Sequence, residues 1–122
     1  MADPSQPLVK AADARSYEHT PGGNVRFFHG DEHGLGAMSV AMSTNPPGGI
    51  GRMHRHPCSE VFVIFEGRGR YTVGDTEVIA EPGDIVVIPP NTWHSFEAHG
   101  GVTLRHVAAF DTTHVVTEMQ DI

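Results

Sequence analysis

From residue 37 to residue 110 the apolar residues fall in short runs, each closed by Gly, Pro, Asn or Asp, and none shows the 3.6-residue period of an amphipathic helix. Met38, Val40 and Met42 alternate with small residues and predict a half-buried strand, after which Asn45-Pro46-Pro47-Gly48-Gly49 has the composition of a turn. The chain then enters a strand carrying His54 and His56. Residues 61–65 predict the next strand, with Phe62 and Ile64 on the same face as Glu60 and therefore an apolar floor beside it. Residues 70–73 and 76–80 flank Gly74-Asp75, a hairpin with glycine where a type II′ turn requires it. Residues 85–88, 93–96 and 102–110 complete the series, and residues 25–29 predict a short strand ahead of it. Strands and turns recurring about every ten residues predict an all-β fold. Residues 1–24, poor in large apolar groups, predict an N-terminal arm; 25–118 predict one barrel and 119–122 a tail.

Length and charge narrow this further. With 122 residues the chain supports one core rather than two, and 14 Gly and 9 Pro suit many tight turns. Its formal net charge of -7, with only eight scattered Lys and Arg, argues against a phosphate-tracking face, so nucleic acid is not expected as a partner. The single Cys58 makes no internal disulfide, and no long apolar stretch or charged-then-apolar leader precedes the first strand. A soluble, cytoplasmic protein without membrane contact is the expectation.

The chemistry concentrates between residues 48 and 67. On an extended strand His54 and His56 share a face about 7 Å apart, given a rise of about 3.3 Å per residue. Pro57 stops that strand, and the run opened by Glu60 is expected to return antiparallel beside it, placing a carboxylate opposite the imidazoles. His94, after the turn at residues 89–92, is the fourth candidate ligand.

These residues resemble the cupin family. Its first motif, Gly-x5-His-x-His-x3-Glu-x6-Gly, is met by Gly48, His54, His56, Glu60 and Gly67; its second, Gly-x5-Pro-x-Gly-x2-His-x3-Asn, by Gly83, Pro89 and His94. Asn91 replaces the second motif's middle Gly and Ala98 its Asn; asparagine tolerates a left-handed backbone well enough to hold the turn. The similarity spans roughly residues 36 to 110. It implies a double-stranded β-helix, the jelly-roll barrel of two antiparallel sheets, and one divalent transition metal ion per chain on His54, His56, Glu60 and His94. Fe, Mn, Ni, Zn, Co and Cu all suit imidazole plus carboxylate. A homodimer, with N-terminal strands exchanged, is also implied.

Such a site leaves coordination positions open, so the expected function is a metal-dependent small-molecule enzyme, foremost a dioxygenase-like oxygenase whose substrate chelates the metal. A non-oxidative isomerase, cyclase, lyase or decarboxylase on the same site is the alternative, with Glu60, His106 or Tyr71 moving the proton. A ligand-binding module without turnover is the third reading. His106 shares parity with Leu104, Ala108 and Phe110 and so reads as facing the cavity. Arg52, by parity with His54, is the candidate anchor for a substrate, and Met38, Met42, Phe62, Ile64 and Phe96 are candidate pocket walls. Cys58 reads as lying on the connecting turn, away from the metal. His29, His33, His99 and His114 read as loop or surface groups.

Overall fold

The computed structural model describes residues 7–120; the outermost parts of the expected arm (residues 1–6) and tail (residues 121–122) lie outside it. Eleven strands are present among the described residues: β1 (Arg15–Tyr17), β2 (Asn24–Phe28), β3 (Ser39–Asn45), β4 (Ile50–Arg55), β5 (Glu60–Glu66), β6 (Gly69–Val73), β7 (Thr76–Ala80), β8 (Ile85–Ile88), β9 (His94–Ala98), β10 (Leu104–Phe110) and β11 (Glu118–Met119). They form a six-stranded sheet ordered β1-β2-β3-β10-β5-β8 and a five-stranded sheet ordered β11-β4-β9-β6-β7. Neighbours pair antiparallel throughout, which is the two-sheet jelly-roll barrel. One four-residue helix, Gly30–His33, interrupts the strands, and no helix among the described residues is long and apolar enough to cross a membrane.

Turn chemistry explains why the chain folds back where it does. Gly74 has φ 57° and joins β6 to β7 through the expected two-residue hairpin. Asn91 has φ 59°, the one positive value at a non-glycine among the described residues, and its N–H donates to the carbonyl of His56 at 2.7 Å. Gly67 has φ 76°, and a Cβ there would lie 2.0 Å from the Thr103 carbonyl oxygen.

Two strand expectations are corrected. Strand β5 does not return beside β4: it pairs with β10 and β8, whereas β4 pairs with β9 and β11. The Pro57–Ser59 turn carries the chain across to the opposite sheet, so Glu60 meets the imidazoles from the far wall of the barrel. In β3 the buried face is the small one, Ser39, Ala41, Ser43 and Asn45, while Met38 and Met42 are 47% and 46% exposed. Among the inward residues of β3, Ala41 and Ser43 line the cavity, and their small side chains leave room for it. Neither methionine is a wall of it.

In β5 the expected parity holds, with Glu60, Phe62 and Ile64 all buried. Tyr71, Ile64, Ile88 and Leu104, none more than 2% exposed, are among the most deeply buried side chains of the core. In the expected arm, β1 pairs antiparallel with β2 of the same chain.

Candidate metal centre

Strands β4 and β9 set the first half of the site, with His54 directly opposite His94. The register of β4 against β9 shifts between Gly51 and His54, an irregularity of the kind found beside functional sites. His56 follows at the strand end and Glu60 arrives on β5. One ligand atom from each of His54, His56, Glu60 and His94 lies within 4.8 Å of all the others, and the last three residues are buried.

The tautomers follow from the backbone. Nδ1 of His54 lies 2.5 Å from the Arg52 carbonyl, Nδ1 of His56 3.0 Å from that of Val116, and Nδ1 of His94 2.8 Å from that of Thr92. Carbonyls only accept, so each Nδ1 carries the hydrogen and each neutral ring keeps a bare lone pair on Nε2. Nε2 of His56, Nε2 of His94 and Oε1 of Glu60 are buried without a hydrogen-bond partner. Oε1 sits 3.4 Å from the first nitrogen and 3.0 Å from the second, near enough for an ion pair, yet neutral rings of this tautomer have no hydrogen to share there.

Nor does an arginine neutralise Glu60. Arg55 donates to both carboxylate oxygens of Glu118 at 3.0 Å and lies 4.4 Å over the Trp93 ring. Among the described residues no Lys or Arg pairs with Glu60. Lone pairs turned toward one point, buried and unshared, are costly unless a cation joins them. The donor set of three imidazoles and one carboxylate fits a divalent transition metal.

Burial pushes the His54 imidazole down to about 4, helped by the nearby His94 and His56 and opposed by the Arg52 carbonyl. That direction keeps the ring neutral and its Nε2 free for a metal at neutral pH.

Beside the cluster opens a cavity of about 280 Å³, with His54, His56 and Glu60 in its wall and Phe27, Phe62, Phe96 and Phe110 as apolar lining. His106 lines it as expected, and Arg52 contributes to its lining with an exposed side chain. Two further expectations are corrected. Ile64, 1% exposed, is packed in the core and does not line the cavity. Tyr71 does not line it either: its hydroxyl reaches Nδ1 of His106 at 2.7 Å, so it positions that ring rather than meeting a ligand. Cys58 is outside the cluster, its thiol raised first by burial and then by Asp111. His29 and His114, read as loop or surface groups, stack at 4.0 Å, with His114 3.1 Å from Asp31.

His19 was not singled out by sequence. It follows β1, lines the same cavity and bonds to Asn45. No local spacing marks it.

His106 lends stability a pH dependence. Burial lowers its imidazole to about 3, so an unfolded chain, titrating near 6.5, binds the proton first. Stability is therefore fully present above about pH 6.5 and is lost as pH falls toward 3. Thermal melts of metal-free protein should show Tm dropping between pH 6.5 and 4, with a shallower slope in the Tyr71→Phe/His106→Phe double variant. That variant replaces both hydrogen-bonded partners with apolar groups of similar shape.

Residues 41–110 match the family model described as the cupin domain. The chain belongs to the cupin family. Over 69 residues this cupin is 37% identical to an uncharacterized protein of Methanocaldococcus jannaschii, covering 56% of this chain and 55% of that one. Over 52 residues it is 38% identical to 1-methylthio-D-xylulose 5-phosphate methylsulfurylase of Rhodospirillum rubrum, covering 43% and 33% respectively. Among solved structures, oxalate decarboxylase of Lactobacillus farciminis superposes with a TM-score of 0.79 at 21% identity, over 88% of this chain and 34% of that one. The cupin thus spans about half or less of the length of these proteins, and the last likeness is one of fold.

Proposed function

We propose that this cupin is a metal-dependent enzyme for small molecules, holding one divalent ion on His54, His56, Glu60 and His94 and acting as an oxygenase on a substrate that chelates it. The observation that carries the reading is the set of unshared lone pairs in the wall of an apolar cavity. A redox-active ion in such a site supplies a template for substrate oxygens and a route for electrons to dioxygen. The cavity's aromatic walls shed water and admit an apolar co-substrate. Burial leaves His106 a feeble base and Tyr71, whose phenol it raises, a feeble acid, so the chain brings little proton-moving power of its own. That favours a substrate whose acidity comes from its own oxygens.

Oxygen uptake is the test. Protein loaded in turn with Fe(II), Mn(II), Ni(II) or Co(II) should consume dioxygen with at least one enediol, β-diketone or catechol, and His94→Ala should abolish the uptake. Turnover undiminished under strict anaerobiosis would replace this reading with the non-oxidative one. That second reading draws on the relative in Rhodospirillum rubrum, a 1-methylthio-D-xylulose 5-phosphate methylsulfurylase.

A homodimer accompanies the proposal. On the outer face of the larger sheet Met42, Val107, Val63 and Ile85 are cross-strand neighbours in one row, and Val40, Ala109, Val61 and Val87 in the next. Ile85 and Val87 are each at least 60% exposed. Two such apolar faces cover one another under a two-fold axis. Light scattering at micromolar concentration should give the mass of a dimer, and Ile85→Glu/Val87→Glu the mass of a monomer; a monomeric wild type overturns it.

A further inference from the structure

The three imidazoles of the candidate metal centre are not held alike. His54 and His94 each direct the Nδ1 hydrogen to a carbonyl two residues back in the chain, that of Arg52 and that of Thr92. Among the described residues, Nδ1 of His56 instead meets two acceptors 60 and 61 residues further along, the Val116 carbonyl at 3.0 Å and Thr117 Oγ1 at 3.2 Å. The carbonyl only accepts, so it takes the hydrogen, and the hydroxyl oxygen shares it as a second acceptor. The hydrogen's other place on a neutral ring is Nε2, toward Oε1 of Glu60 3.4 Å away. A hydrogen there would cover the lone pair that faces the cluster. The segment supplying the two acceptors is fastened on both sides. Upstream, the Val115 N–H donates to Nδ1 of His29 at 3.1 Å, and the Val115 side chain is buried in the core. Downstream, β11 pairs with β4, setting Glu118 opposite Arg55 and Met119 opposite His54, and the Gln120 N–H donates to the Met53 carbonyl at 3.2 Å. Arg55 holds both carboxylate oxygens of Glu118. All of this lies beyond residue 110, where the match to the cupin domain ends.

We propose that residues 115–119 form a strap in which Val116 and Thr117 are positioning residues for His56, keeping its hydrogen on Nδ1 and its Nε2 lone pair turned to the metal. The proposal deepens the metal-dependent reading and rests on it. One tautomer of His56 offers a ligand; the other bonds to Glu60 and takes two donors out of the set at once. The strap decides between them. His54 and His94 keep their tautomers from neighbouring carbonyls, so the strap governs one ligand of the four and leaves the other imidazoles as they are.

The full-chain double variant Thr117→Val/Glu118→Arg tests this without touching a ligand: it removes the hydroxyl and sets two guanidiniums side by side where β11 meets β4. In long-range 1H–15N spectra of metal-free protein at pH 8, the wild type should show His54, His56 and His94 as Nδ1–H tautomers. In the double variant His56 alone should move toward Nε2–H. Titration with Zn(II) should show affinity lower by about tenfold or more in the double variant, the scale of losing a partner to a ligating histidine. Thr117→Ser, which keeps the hydroxyl, should retain the wild-type tautomer and most of the affinity. A His56 that stays Nδ1–H in the double variant overturns the proposal, as does zinc affinity equal to wild type. So does a shift of all three imidazoles together, which would mean that the segment merely stabilises the barrel. Failure of the metal reading looks different: the wild type takes up no zinc, while His56 alone still changes tautomer when the strap is loosened.

Discussion

Purified without chelators, the wild-type protein should carry a divalent transition metal by elemental analysis, and His56→Ala should carry almost none. Loss of an outer-sphere partner to a ligating histidine commonly costs ten- to a hundredfold in affinity, so loss of the ligand itself should cost at least about a hundredfold. Glu60→Gln keeps the shape and removes the charge, and should fall in between. Stability gives a second readout. Metal at 100 times its Kd should stabilise the wild type by about 2.7 kcal/mol and leave the Tm of His56→Ala unmoved. A wild type that binds no metal, or a variant that binds it equally, would refute the assignment. Affinity should also fall on acidification, as protons compete for the three imidazoles.

Gly67→Ala should destabilise the barrel by about 3–5 kcal/mol, near the top of the range for single substitutions. The new methyl would sit 2.0 Å from the Thr103 carbonyl oxygen at φ 76°, where an L side chain is already strained. The atoms it would meet, in Thr103 and Leu104, are all backbone, so no rotamer change relieves the contact. A Tm lower by at least about 10 °C is expected. Gly101→Ala is the control: it shares a positive φ of 72° but meets nothing within 4 Å, so it carries the strain without the clash. Equal losses in the two variants would show that conformation alone requires a glycine at residue 67.

The four candidate ligands, which the fold brings within 4.8 Å of one another, were legible because their placement depends on short-range rules. Alternation along one strand aligns His54 with His56, and the turns before Glu60 and His94 carry their own glycine, proline and asparagine signals. Asn91 is the clearest instance, since the left-handed backbone expected of it is present. What escaped depends on long-range packing. Nothing near Pro57 says whether the chain turns beside β4 or crosses to the other sheet, as it does. The two faces of β3 read as apolar and small, and the apolar one would ordinarily be called inner; the cavity reverses that, turning Met42 outward and Ser43 inward. Ile64 has the right parity for a pocket wall but lies beyond the cavity in close-packed core. His19 is 26 residues from the asparagine that orients it, a separation no motif spans.

The place of His19 in the chain has a practical consequence for protein engineering. Together with Val25 and Phe27 it belongs to the cavity, yet all three precede residue 41, where the match to the cupin domain begins. The candidate metal ligands and this part of the cavity wall accordingly come from different segments. Exchanging residues 15–28 for the corresponding arm of another barrel should redirect ligand choice while metal content stays as it was, a modular division suited to recombination.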